Sequence, residues 1–389
     1  MRTDRDGILL ASLLTLACIH AGCLASAPSF PEIPGWDDPM IRTSELSAEE
    51  KRLWVIADEA LAELADDDEL VEDARLDAYL AEVVAEVWSQ PPEPAPSIRV
   101  IVVESAERNA FAWPNGLILI SSGLLATLEN EAQLAYLIGH ETAHILGRHS
   151  LQAERYELIT GSHVDRMRLS KYVESEADRM GFEVFVLAGY APIESIRMMR
   201  HLDDGSAPPV DRIRAWESHV DLDQRIEVLK RAIRLESVGG RRLGAERFLA
   251  AIDEIRLGVV ELEIEARAYD VARARIDEHL QRVPASGRAH FLRAEITRLV
   301  SAEGKWDRAV REDYERAIEL APEGADALRA LGLLLRGTDE QIQSDVLLAR
   351  YLEVRPDAID RKLIARYLGR GAPADLPKPI EVPASGAAP

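Results

Sequence analysis

Cysteine is nearly missing from this 389-residue chain: there are two, Cys18 and Cys23, both close to the N-terminus. The rest of the sequence can therefore build neither a disulfide framework nor a thiolate metal site, and any metal must be held by histidine and carboxylate. Aromatic residues are scarce at 5%, while Ala, Leu, Glu and Arg are plentiful, which is the composition of helices. Blocks of Lys and Arg are also lacking. With a formal net charge of −22 and nothing to neutralise a run of phosphates, nucleic-acid binding is excluded. The acidity reads as a solvated surface. Long apolar runs are absent too: no segment reaches the roughly 18 uninterrupted apolar residues of a spanning helix, so no transmembrane span is expected in the mature chain.

The apolar run Ile8–Ile19 follows Arg2 and Arg5 and matches the core of a secretory signal, with Asp4 and Asp6 diluting its positive start. Two cleavage readings compete. His20-Ala21-Gly22-Cys23 is similar to a bacterial lipobox, with Cys23 as the lipidated residue; Ala25-Ser26-Ala27 is an A-x-A site, followed unfavourably by Pro28. The lipobox is the better of the two. The expected location is accordingly exported, either periplasmic or tethered to the outer membrane as a lipoprotein with a lipid anchor.

Along the chain, Ser47 and Glu50 form a capping-box pattern at the start of a helical stretch that runs to Trp88, with a break at Asp66–Glu69. A proline-rich linker, Pro91–Pro96, leads into three short strand-like runs: 97–103, 110–113 and 117–121. Pro114-Asn115-Gly116 makes the turn between the last two. A helix is expected over Glu129–His149, another over Ser170–Ala188, then Ile193–Leu202, a loop over Asp203–Ser218, and a helix over Asp221–Leu235. From Leu243 the character changes. HLQRVPASGRAHFLRA, AIELAPEGADALRALG and YLEVRPDAIDRKLIARYLG are self-similar around Pro284, Pro322 and Pro356. This is similar to tetratricopeptide (TPR) repeats, with an unrelated helical bundle as the bland alternative. The expected domains are a signal over 1–27, a catalytic domain over 28–242, TPR-like repeats over 243–369 and a disordered tail over 370–389.

The chemistry-bearing stretch is His140-Glu141-Thr142-Ala143-His144. Residues four apart stack on one helix face, so both imidazoles can address one metal ion, and Glu141 beside the first can take a proton from a water there. A catalytic zinc needs three protein ligands and an open position. Glu174 and Asp178 share a helix face further on. Glu174 is the expected third ligand, with Asp178 hydrogen-bonded behind a ligand imidazole to fix its tautomer. Glu176, between them, is read as a surface charge, and His149, His163 and His201, which have no partner at useful spacing, as structural. The expected cofactor is one Zn2+ per chain, activating a water whose proton passes to Glu141 and then to the leaving amine.

The ordered set Asn109-Ala110-Phe111-Ala112, Gly116, His140-Glu141-x-x-His144, Glu174-x-x-x-Asp178 and Ala188-Gly189-Tyr190-Ala191-Pro192 resembles the HtpX and CAAX prenyl protease family of zinc metallopeptidases. Within it, the chain is most similar to the soluble, exported BepA-type branch with C-terminal TPR repeats. The resemblance covers Ser97 to Ala232. It implies Glu174 as zinc ligand, and it implies that Asn109, Ala110, Phe111 and Ala112 lie on an edge strand that pairs with an extended peptide. It also draws in His219, which would plug the metal or stabilise an oxyanion, and Arg225, which would anchor Asp178 or another carboxylate. Two departures stand out. Leu151–Leu169 is short and polar where the family often has a longer apolar stretch, and Asn115 replaces a common glycine.

The fold expected is α+β and mostly helical: a gluzincin-type metallopeptidase domain with a small β-sheet, followed by an α-solenoid. The function expected is a zinc endopeptidase of the bacterial cell envelope, in protein quality control or outer-membrane protein assembly. Its expected partners are unfolded or misassembled protein substrates, with a further protein held by the TPR groove. The rival is a latent or inactive peptidase acting as a TPR-based chaperone or assembly factor.

Overall fold

The computed structural model describes Gly35 and residues 46–89, 95–160, 163–202, 222–235, 240–301 and 308–369. The expected signal (1–27, with Cys23), most of the proline linker, the Asp203–Ser218 segment, His219 and the tail over 370–389 lie outside the described residues.

Helix α1 (Ala48–Asp66) begins at the capping box: Ser47 Oγ accepts from Glu50 N at 3.2 Å and the Glu50 carboxylate accepts from Ser47 N at 2.9 Å. Helix α2 (Ala74–Val87) buries Leu76, Tyr79, Leu80, Val83 and Val87, an apolar stripe at helical spacing. The sheet follows, as β1 (Arg99–Val103), β2 (Ala110–Ala112) and β3 (Leu117–Ser121). Its order is β1-β3-β2, with β1 parallel and β2 antiparallel to β3. Gly116 turns the β2–β3 hairpin at φ +92°, where a Cβ would stand 2.2 Å from the Ser97 carbonyl oxygen, so only glycine fits. Central β3 is buried on both faces. Ile118 and Ile120 join Val100 and Val102 in the main core, and Leu117 and Leu119 pack with Leu64 of α1.

The two edges of this sheet differ. The β1 edge is covered, since Val71 N donates to Val102 O at 3.0 Å and Glu104 N to Glu69 O at 2.7 Å. On the β2 edge, Ser121 N donates to Asn109 O and Trp113 N to Leu117 O. The odd-numbered residues of β2 thus pair with β3, and the N–H and C=O of Ala110 and Ala112 point outward. Among the described residues nothing pairs with that edge.

After α3 (Ser122–Thr127) comes the central helix α4 (Glu131–Leu146), capped by Asn130, with every residue buried except His144. A helix apolar on all sides belongs inside a core, and LAYLIG supplies that character. The expected continuation to His149 does not occur. The chain breaks at Gly147 and Arg148, whose φ is +55°, and a separate helix, α5 (His149–Thr160), follows. Helix α6 (His163–Leu187) begins seven residues before the expected Ser170, because the polar run between carries neither glycine nor proline to stop it. Gly189 at φ +85° ends that stretch, and α7 (Ile193–His201) and α8 (Leu222–Leu235) follow.

Eight further helices complete the described chain: α9 (Ala245–Ala251), α10 (Asp253–Glu265), α11 (Tyr269–Arg282), α12 (Gly287–Val300), α13 (Arg308–Leu320), α14 (Ala325–Leu335), α15 (Gln341–Val354) and α16 (Arg361–Tyr367). Pro284, Pro322 and Pro356 fall in the turns before α12, α14 and α16, while α12 packs on α13 and α14 on α15. A buried carboxylate ties this array to the core. Glu131, in the first turn of α4, accepts from Tyr79 Oη (3.1 Å), Tyr190 Oη (3.0 Å), Arg242 Nη2 (2.7 Å) and Arg247 Nε (2.5 Å). Arg256 adds a bond to the Leu128 carbonyl at 2.7 Å.

Candidate metal centre

Helices α4 and α6 cross on two glycines. A Cβ on Gly181 would stand 2.7 Å from the His140 backbone nitrogen, and one on Gly139 would stand 3.1 Å from the Gly181 carbonyl oxygen. Missing side chains let the backbones approach closely. On α6, Glu174, Asp178 and Gly181 lie at i, i+4 and i+7 and share a face. The close crossing therefore delivers both carboxylates to His140.

The structure brings His140, His144 and Glu174 into one group. His140 Nε2 and His144 Nε2 are 3.1 Å apart, and each is 3.5 Å from a Glu174 carboxylate oxygen. A tetrahedral zinc with bonds of about 2.0–2.1 Å requires donor separations of about 3.3 Å. The three observed spacings bracket that value, so the residues fit the ion that the histidine-and-carboxylate donor set implies. Charge agrees. With both imidazoles neutral, as metal ligation requires, Glu141, Glu174 and Asp178 in ionised form and Arg225 sum to −3 + 1 = −2, all four being buried, and burying net charge without compensation is costly. A divalent cation balances it. Glu141 follows His140 directly and is 3% exposed.

Behind His140, its Nδ1 lies 3.1 Å from Asp178 Oδ1. Arg225, carried by α8, grips Asp178 through Nε and Nη2, both at 2.7 Å, and reaches Glu174 Oε2 through Nη1 at 2.5 Å. It contacts Asp178, as the sequence suggests, and also Glu174, which the sequence does not name as its partner. Tyr136, one turn before His140, donates its hydroxyl to Asp178 Oδ1 at 3.1 Å.

These contacts set the protonation. Burial opposes charge on Asp178, but Arg225 outweighs it and holds the carboxyl below its ordinary value. Burial also opposes charge on His140, yet bonds to Asp178 and Glu174 push it up to about 10. Burial drives His144 well below 6.5, and the neighbouring His140 charge adds to that. In the metal-free centre the two imidazoles are thus unlike: His140 is cationic and His144 neutral.

Two sequence expectations need correcting. His149 is not without a partner: it is 4% exposed and its Nδ1 sits 2.9 Å from His144 Nδ1. Nor is Glu176 simply a solvated surface charge, since its Oε2 is 3.4 Å from His149 Nε2. Sequence reasoning also passed over Tyr136, Gly139 and Gly181. The signals were there: Tyr136 is four residues before His140, and isolated glycines inside helices mark close packing. Asn109–Ala112 stands at the open sheet edge, with β2 packed beside α4.

Residues 72–162 match the profile of Peptidase family M48. That span holds His140, Glu141 and His144 and ends before Glu174. Over 125 residues the chain is 31% identical to "Mitochondrial metalloendopeptidase OMA1" of Saccharomyces cerevisiae, covering 27% of this chain and 36% of that one. The protein of the same name from Arabidopsis thaliana is 32% identical over 115 residues, 25% and 24% of the two chains. The "Beta-barrel assembly-enhancing protease" of Escherichia coli is 22% identical over 154 residues, 32% of each. The chain thus spans about a quarter to a third of the length of these relatives. No described helix is long and apolar enough to cross a membrane.

Proposed function

We propose that this protein is a zinc-dependent metalloendopeptidase of the BepA-type branch. The observation that carries the reading is the buried His140–His144–Glu174 group, with Glu141 one residue from the first histidine. The M48 match and the metalloendopeptidase relatives support it. His140, His144 and Glu174 would hold the metal. Bound zinc supplies Lewis acidity, which makes a water nucleophilic near neutral pH and polarises a peptide carbonyl.

The remaining work falls to the chain. Asp178, kept ionised by Arg225, acts as acceptor toward the Nδ1–H of His140, which keeps the proton on Nδ1 so that Nε2 would present its lone pair to the metal. Glu141 takes the proton of the attacking water and returns it to the leaving amine. Substrate is held as an added strand: the outward N–H and C=O groups of Ala110 and Ala112 bond an extended peptide, which makes selection by backbone stronger than selection by side chain. Such a site suits unfolded or misassembled proteins.

The helix pairs from α10 onward, with prolines at equivalent turns, support a TPR-like array that recruits a protein partner. The leader pattern supports export to the bacterial envelope, in the periplasm or tethered to the outer membrane, where quality control or outer-membrane protein assembly is the role proposed. Glu141→Gln tests the chemistry. It is expected to cut hydrolysis of an unfolded protein by 10²-fold or more, the scale of general acid–base catalysis, with zinc content unchanged. Cleavage at the wild-type rate overturns the assignment.

A further inference from the structure

His144 emerges as the only residue of α4 that is not buried, and it needs support that the ion pair behind His140 does not give. The support comes from the break after α4. Gly147 and the positive φ of Arg148 fold the chain back, so that the imidazole of His149 lies over the end of the helix. A Cβ on Gly147 would fall 2.3 Å from His149 Nε2, so the ring fits only because position 147 lacks a side chain. The His149 ring is buried and meets the His144 ring edge-on, with centroids 4.9 Å apart at 84°. Its Nδ1 is 2.9 Å from His144 Nδ1, and its Nε2 faces Glu176 at 3.4 Å.

Hydrogen-bond logic fixes the protons. If His144 ligates through Nε2, its own proton must sit on Nδ1, and the nearest acceptor is His149 Nδ1. An imidazole that accepts at Nδ1 carries its proton on Nε2, the atom that stands 3.4 Å from the Glu176 carboxylate. Every lone pair and every proton in this row then has one assignment.

We propose that His149 is a positioning residue for the metal centre. Through its Nδ1 lone pair it fixes the tautomer and ring orientation of His144, and the nearby Glu176 carboxylate favours a proton on the far nitrogen of His149. The proposal rests on the metallopeptidase reading but concerns a residue outside its ligand set. Partners standing behind metal ligands commonly set affinity by 10–100-fold.

The test is a pair of substitutions in the full chain, read by zinc dissociation constant in chelator competition and by thermal melting of the metal-free protein. His149→Leu keeps bulk but removes the acceptor, and its zinc affinity is expected to fall 10–100-fold. His149→Asn places a carbonyl oxygen near the position of Nδ1 and should restore affinity to within a few-fold of wild type. Unchanged affinity in His149→Leu overturns the proposal. So does an equal loss in both variants together with equally lowered melting, which would show that His149 only fills space. Should wild type itself take up no zinc, the failure lies with the metallopeptidase reading, because the two variants are scored only against a zinc-binding parent.

Discussion

The two histidines of one helix turn stand in opposite surroundings. His140 lies deep, backed by Asp178, which Arg225 and Tyr136 hold. His144 lies at the rim, 16% exposed in its side chain, backed by a second imidazole and a carboxylate that is itself 29% exposed. The deep side invests a fully buried charge network, and the rim side a pair of imidazoles with a partly solvated carboxylate behind them. Identical residues four positions apart therefore reach the metal in different protonation states. The difference arises from what the rest of the fold places behind each.

The largest break should come from Arg225→Met. Removing the guanidinium leaves Asp178 and Glu174 buried beside each other with no cation, a class of change that costs about 3–5 kcal/mol. We expect the metal-free protein to lose stability on that scale in denaturant titration, with zinc recovering part of it. Asp178 sharpens the point: its folded value is depressed, so its contribution is present above the unfolded value of about 3.9 and is lost only as pH falls through the lower folded one. Acidification from pH 7 to 5 should leave the Arg225 contribution intact.

A smaller effect distinguishes the histidines directly. His140 holds its proton up to about pH 10 without metal, whereas His144 is already neutral. Zinc uptake at pH 6, below the range near 7 in which a zinc-bound water ionises, should then release about one proton, not two, measurable by calorimetry in buffers of different ionisation enthalpy. The raised value also has a stability sign. The His140 contribution to the metal-free fold is fully present below about pH 6.5 and is lost as pH rises through about 10, while zinc affinity climbs over the same window. In Asp178→Asn both slopes should flatten. Release of two protons by wild type would erase the claimed difference between the two sites.

The smallest effect belongs to Glu176→Gln. The amide keeps an oxygen near His149 Nε2, and the site is partly solvated, so zinc affinity should change by under about three-fold. A tenfold loss would place the rim on the same charged footing as the deep side.

Much of this was legible in the amino-acid order. The capping box at Ser47, the three strands and the turn at Gly116 appear where the sequence puts them, since caps and turn residues act over a few positions. The prolines at 284, 322 and 356 mark turns for the same reason. The helix break at Gly147 was not legible, because Gly147 follows a strong apolar pattern and Arg148 gives no cue that it adopts positive φ. Arg225 could be named but not placed, for nothing local determines which carboxylate an arginine 47 residues from Asp178 will meet.

What the sequence settled by itself is the spacing of His140, Glu141 and His144 and the shared face of Glu174 and Asp178. A helix repeats every 3.6 residues whatever surrounds it. Only the tertiary structure decided that these two faces meet, that Arg225 closes the deep side, and that His149 turns back to close the rim. Those outcomes depend on how near two backbones can come, at Gly139 against Gly181, and on a single turn at Arg148. Distances across elements are set by packing, and packing is a property of the whole core.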